Sequence, residues 1–183
     1  MKHTKLALSL AALLTSTLPL GCGSGEDSSP FGRSAGSPVG KPAPTLAGKT
    51  IDGERVALSD FRGQVVLVNV WATWCKPCNK ELPELARLHD DLRSKGFSVL
   101  GVSVDKRQML QQVHARVRQH QLHFPNLFDP EGLALSDWKI SGYPTSILIG
   151  RNGNILWRRN GMIHPNDPEL TKQIESALAE AAT

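Results

Sequence analysis

A chain of 183 residues, 40% of them hydrophobic, is long enough for one domain with a true core. Its formal charge of +4 is mild, and no stretch carries an Arg/Lys stripe with interleaved aromatic residues. This excludes nucleic acid or an acidic surface as an expected partner.

The first elements are read as targeting rather than fold. Lys2, His3 and Lys5 form a short basic start, Leu6 to Leu20 carry no charge, and the small residue Gly21 precedes Cys22. That order is the pattern of a secretory signal peptide over residues 1–21, and the apolar run is short for a membrane span. Its removal with Lys2 and Lys5 lowers the charge to +2. Residues 22–40 then begin with Cys22 and continue as a Gly- and Ser-rich stretch that reads as a flexible tether.

The folded domain is expected over residues 41–183. Thr50 to Val56 reads as a hairpin about Asp52-Gly53, and Ser59-Asp60-Phe61 as a single helical turn. Val65 to Trp71 is nearly continuous in apolar, β-branched residues, as a strand buried on both faces is. Leu82, Leu85, Leu88 and Leu92 give the next helix one apolar face, with Pro77 in its first turn, Pro83 inside as an expected kink, and Gly96 as its stop. Ser98 to Val104 predicts a second buried strand. Leu110, Val113 and Val117 mark a second helix, and Glu131 to Trp138 a shorter one. Asn152-Gly153 joins the strand Ser146–Ile149 to Ile155–Trp157 as a tight hairpin. Asp167 caps a last helix that starts at Pro168 and buries Leu170, Ile174 and Leu178. A parallel strand–helix–strand unit followed by an antiparallel hairpin predicts an α/β layered domain.

Three cysteines are present, at 22, 75 and 78. A C-x-x-C pair such as Cys75-Lys76-Pro77-Cys78 admits three readings: a redox dithiol, half of a zinc site, or a plain disulfide. Tetrahedral zinc needs four ligands. There is no second cysteine pair, and His3, His89, His114, His120, His123 and His164 are scattered, each read as a surface residue, so no metal site is expected. The redox reading has a mechanism. Cys75 falls between a buried strand and a helix, where the helix N-terminus and Lys76 favour a thiolate. The thiolate attacks a disulfide sulfur, and Cys78, one turn on, resolves the mixed disulfide. Trp71 is expected in the core and Trp74 on the rim of a substrate groove.

Two resemblances sharpen this. Leu18-Pro19-Leu20-Gly21-Cys22 resembles the lipobox of bacterial lipoproteins, with Pro19 departing from the usual aliphatic residue. It implies lipidation of Cys22 and a membrane-anchored protein of the bacterial envelope or periplasm. Phe61-x-Gly63, Trp71-Ala72-Thr73-Trp74-Cys75-Lys76-Pro77-Cys78, Asn79-Lys80-Glu81-Leu82-Pro83 and Gly142-Tyr143-Pro144-Thr145 together resemble the TlpA/ResA-type (redoxin/AhpC-TSA-like) thiol–disulfide oxidoreductases. The resemblance spans residues 41–183. It implies a thioredoxin-like fold, a central mixed sheet flanked by helices with an N-terminal β-hairpin extension.

The resemblance also implies roles. Cys75 is the nucleophile and Cys78 the resolving cysteine. Pro144 is a cis-proline against the dithiol that turns the Tyr143 backbone toward an extended substrate, with Trp74 and Thr145 beside it. Glu81 tunes the cysteines, by taking a proton from Cys78 or by repulsion. Ser146-Ile147 stand where relatives often have Thr-Phe, which alters the groove. No cofactor is implied. The expected partners are disulfides of envelope proteins, for example in cytochrome c maturation, and a membrane thiol relay as electron donor. The alternatives are a disulfide oxidant or isomerase with the same residues, and a copper-delivery protein on the same fold. The second is disfavoured by two rather than three residues between the cysteines. A thiol peroxidase would need a lone cysteine with Thr and Arg around it, an arrangement not seen here.

Overall fold

The computed structural model describes residues 38–180. Residues 1–21, Cys22 and most of the Gly/Ser-rich stretch, with the readings made of them, lie outside the described residues. Among those described, no helix is long and apolar enough to cross a membrane.

The hairpin at the start is β1 (Ala47–Lys49) paired antiparallel with β2 (Arg55–Ala57). Its turn is closed by the Thr50 N–H, which donates to the Glu54 carbonyl at 2.8 Å. A turn of 3-10 helix, Leu58–Phe61, follows where one was expected. Next come β3 (Val65–Trp71), α1 (Lys76–Leu92) and β4 (Phe97–Ser103). The remaining elements are α2 (Leu110–Gln119), β5 (Asn126–Phe128), β6 (Thr145–Ile149), β7 (Ile155–Asn160) and α3 (Pro168–Ala179).

Five strands form one sheet in the order β5–β4–β3–β6–β7. β3 pairs parallel with β4 and antiparallel with β6, so the sheet is mixed. Every residue of β3 and β4 is buried. The alternation of β3 decides what each face meets. Val65, Leu67 and Trp71 join Leu82, Leu85, Leu170 and Ile174 in one core, whereas Val66, Val68 and Val70 join Leu100, Ile147 and Trp138 in the other. Each such aliphatic side chain contributes about 1.5–3 kcal/mol on burial. The one polar residue of the strand, Asn69, lies on the first of these faces.

α1 runs unbroken through Pro83 to Leu92, and Gly96 (φ +84°) ends the short 3-10 extension behind it. α3 begins as read: the Asp167 carboxylate accepts the Leu170 N–H at 3.0 Å and Pro168 is its first residue.

Three features differ from expectation. The helix expected over Glu131–Trp138 is only a 3-10 turn at Ser136–Trp138. Gly132 stands at φ +69°, which a right-handed helix does not accommodate, so residues 130–135 form turns. β5 is an extra edge strand of three residues, too short for period-2 alternation to show. His89 is not on the surface: it is buried, its Nδ1 accepts the Val99 N–H at 3.2 Å, and its ring meets the edge of Phe124.

Candidate active site

β3 ends at Trp71, and the three residues after it lead to Cys75, the N-cap of α1. Cys75 Sγ accepts the Cys78 N–H at 3.2 Å, the place a serine or aspartate oxygen takes in an ordinary cap. Pro77, in the first turn, has no N–H to leave unpaired. Cys75 and Cys78 are joined in a disulfide. Cys75 keeps 5% of its surface exposed and Cys78 none, so Cys75 is the more accessible of the two.

The turn that delivers Cys75 is held from both sides. Asp105, fully buried just past β4, accepts the Thr73 N–H at 2.9 Å, the Thr73 hydroxyl at 2.6 Å and the Ser103 hydroxyl at 2.9 Å. Asn79, on α1, donates through Nδ2 to the carbonyls of Thr73 and Cys75, both at 2.9 Å. These bonds fix the backbone before the reactive sulfur, the preorganisation that exchange at one sulfur requires.

The Tyr143–Pro144 peptide bond is cis. Trp74 is 59% exposed and Tyr143 38%, and their rings meet edge to face with centroids 5.7 Å apart. Trp74 and Tyr143 thus form an exposed aromatic pair. It joins the residue next to Cys75 to the residue before the cis-proline. Thr145 is buried, and its hydroxyl donates to the Gly142 carbonyl at 2.7 Å, so its side chain holds the Tyr143 loop from within.

Glu81 lies one turn beyond Cys78 on α1 and is fully buried. Oε1 accepts Asn69 Nδ2 and Oε2 accepts the Ile163 N–H, both at 2.7 Å. Burial pushes this carboxyl up from the usual range to about 7, against the pull of those two hydrogen bonds and of Arg159. Arg159 is itself paired with Asp167 and Glu169 and stands over the Trp157 ring.

Sequence reasoning brought Cys75, Cys78, Glu81, Trp74, Tyr143 and Pro144 to this end of the sheet. It missed Asn69, Ser146, Asp105 and Asn79. Asn69 Nδ2 also donates to Ser146 Oγ at 2.9 Å, while its Oδ1 is buried without a partner. The signal for Asn69 was present: a lone amide in an otherwise apolar buried strand must find a partner. Among the described residues no group of three or more His, Cys, Asp or Glu side chains is placed to hold a metal ion.

The dithiol thus stands at a strand–helix junction of a mixed sheet, with Trp74 meeting Tyr143 of the cis Tyr143–Pro144 bond. Residues 39–158 match the model of the AhpC/TSA family. The chain belongs to that family. Thiol-disulfide oxidoreductase ResA from Bacillus thuringiensis subsp. konkukian is 32% identical over 123 residues, 67% of this chain and 70% of that protein. Thioredoxin-like protein YneN from Bacillus subtilis is 35% identical over 124 residues, 67% of this chain and 72% of its own. A solved DsbE-type structure from Chlorobium tepidum superposes with a TM-score of 0.69 at 33% identity, covering 75% of this chain and 96% of that one. This AhpC/TSA-family chain is a thiol–disulfide oxidoreductase with a thioredoxin-like fold.

Proposed function

We propose that the chain is an exported reductant of protein disulfides in the bacterial cell envelope, working through Cys75 and Cys78. The carrying observation is the asymmetry of the pair: Cys75, the residue next to exposed Trp74, keeps a small exposed surface, and Cys78 keeps none. Cys75 opens the substrate disulfide, an extended segment lies along Tyr143 and cis-Pro144, and Cys78 closes the cycle. The resemblance read in the sequence supports the reductant role, a membrane thiol relay that re-reduces the pair, and anchoring through a lipid on Cys22. Oxidised apocytochromes awaiting haem are one such substrate. The reduction potential of the pair in the whole protein, equilibrated in dithiothreitol buffers, tests the reading. A value near or below the thioredoxin value of about −270 mV is expected. One near about −120 mV would make the protein a disulfide former instead.

Glu81 is the residue that tunes the pair in this reading, and its burial has a measurable cost. Its folded carboxyl, at about 7, lies above the ordinary value of 4.5. The native oxidised protein therefore binds more protons than the unfolded chain between those values. This group's contribution to stability falls as pH rises from about 4.5 to about 7 and is flat above, by up to roughly 3 kcal/mol. His89, held below its usual value by burial, works the other way at acid pH, so the comparison must be with a variant. Glu81→Gln keeps the shape, and its amide NH₂ finds an acceptor if Asn69 turns its unpartnered Oδ1 inward. The variant is expected to be the more stable form at pH 8, with the wild type gaining on it toward pH 5 in urea unfolding. Parallel stability curves would refute the assignment.

A further inference from the structure

On one side of Tyr143 lies a recess of about 400 Å³ that nothing above uses. Val104, Leu135, Ile140 and Tyr143 give it a smaller apolar part within a mainly polar lining, and Tyr143 is the residue whose ring meets Trp74. The recess therefore opens next to the surface on which a substrate segment would lie. Its wall also carries Asp129, only 7% exposed. The backbone around Asp129 is fixed, since its N–H donates to the Ser103 carbonyl at 2.8 Å and its carbonyl accepts the Gly132 N–H at 3.1 Å. Its carboxylate is different. Oδ2 is buried without a hydrogen-bond partner, and Asp129 forms no ion pair among the described residues.

A buried carboxylate oxygen with no donor is costly, and such groups are ordinarily paired. The neighbouring charges do not supply the partner. Glu131, also on the recess, is engaged by Arg107 at 2.8 Å, and Lys139, which lines it too, forms no ion pair among the described residues. The apolar side chains suit an aliphatic stem and the unpartnered carboxylate a cationic head, the two halves of a lysine or arginine side chain. An exposed tyrosine at the mouth adds a ring face for the same charge.

We propose that this recess is a specificity site: it receives a Lys or Arg side chain of the protein substrate, a few residues from the cysteine whose disulfide is exchanged, and pairs it with Asp129. This rests on the reading of the chain as a reductant of protein disulfides. It adds the class of sequence such a substrate carries.

The test uses short peptides, each with one cysteine held as a mixed disulfide with glutathione. They differ only in having lysine, norleucine or glutamate at one position, two to four residues to either side of the cysteine. Reduction by the full-length protein, with dithiothreitol as donor, gives kcat/KM for each. At one position lysine is expected to exceed norleucine about tenfold, mostly through KM, with glutamate lowest. In Asp129→Asn the lysine-to-norleucine ratio is expected to fall to about one. Equal rates for lysine and norleucine at every position in the unaltered protein overturn the inference, with no need of a variant. A preference that persists in Asp129→Asn also overturns it. Failure of the unaltered protein to reduce any of the peptides would overturn the proposed function, and this inference with it.

Discussion

Cys78→Ser is expected to stop the reaction half-way and leave the protein covalently bound to its substrate. The Cys75 thiolate attacks one sulfur of the substrate disulfide and expels the other as a thiolate. In the intact protein Cys78 then attacks Cys75 Sγ, the substrate leaves as its second thiolate, and the Cys75–Cys78 disulfide seen here results. A serine hydroxyl is too weak a nucleophile for that second step. Turnover should fall at least about a thousandfold, as it does when one member of a catalytic unit is removed. A substrate adduct should accumulate on non-reducing gels and in intact-mass spectra. Cys75→Ser should lose activity to the same extent without an adduct, because Cys78 is fully enclosed. An adduct on the Cys75→Ser protein and none on Cys78→Ser would reverse the assigned roles.

Gly101→Ala is expected to be among the most destabilising single-methyl changes in the chain. Gly101 lies in the centre of β4, opposite Asn126 of β5. A Cβ there would stand 2.1 Å from Asn126 Oδ1 and 3.2 Å from Phe124 Cε2. Asn126 has no room to yield. It is buried, its Nδ2 donates to the Phe124 carbonyl at 2.9 Å, and its Oδ1 accepts the Trp71 indole N–H at 3.2 Å. Overpacking costs about 1–3 kcal/mol. Displacing Asn126 also leaves a buried indole N–H unpaired, about 1–3 kcal/mol more. A loss of about 2–6 kcal/mol is expected, roughly 6 °C or more in melting temperature for a domain of this size. Because Trp71 closes the strand that leads to Cys75, near-ultraviolet circular dichroism should change as well. A loss below about 1 kcal/mol would mean that β5 shifts freely, contrary to its packing here. Adding Asn126→Ser should recover part of the loss, as coupled neighbours do.

The elements legible in the sequence were those whose periodicity or punctuation is strong. β3 is an apolar run of full strand length, the leucine spacing of α1 is regular, and Asp167-Pro168 states a helix start in two residues. The cysteine motif was legible because local sequence places it at a strand–helix junction. Less was legible where a residue's role depends on distant chain. Nothing near Glu81 in sequence announces that Ile163, 82 residues away, supplies an N–H to its carboxylate. Nothing near Thr73 announces Asp105, 32 residues on. His89 read as a surface residue along with the other scattered histidines, yet it is buried and packs against Phe124. Glu131 to Trp138 read as a short helix, and the left-handed Gly132 excludes one over most of that span.

The ladder between the first described residues and β7 fixes the polarity of the whole domain. Gly40 donates to the Ile155 carbonyl at 2.8 Å, and the Ile155 N–H donates to the Lys41 carbonyl at 2.9 Å. Ile155 pairs with Ile149, which pairs with Val66, so this ladder lies level with the beginning of β3. Cys75 follows the other end of that strand, seven residues and about 20 Å along the sheet. The chain thus enters at the back of the domain and does its chemistry at the front. A partner that reaches Cys75 therefore meets the end of the sheet far from the first described residues.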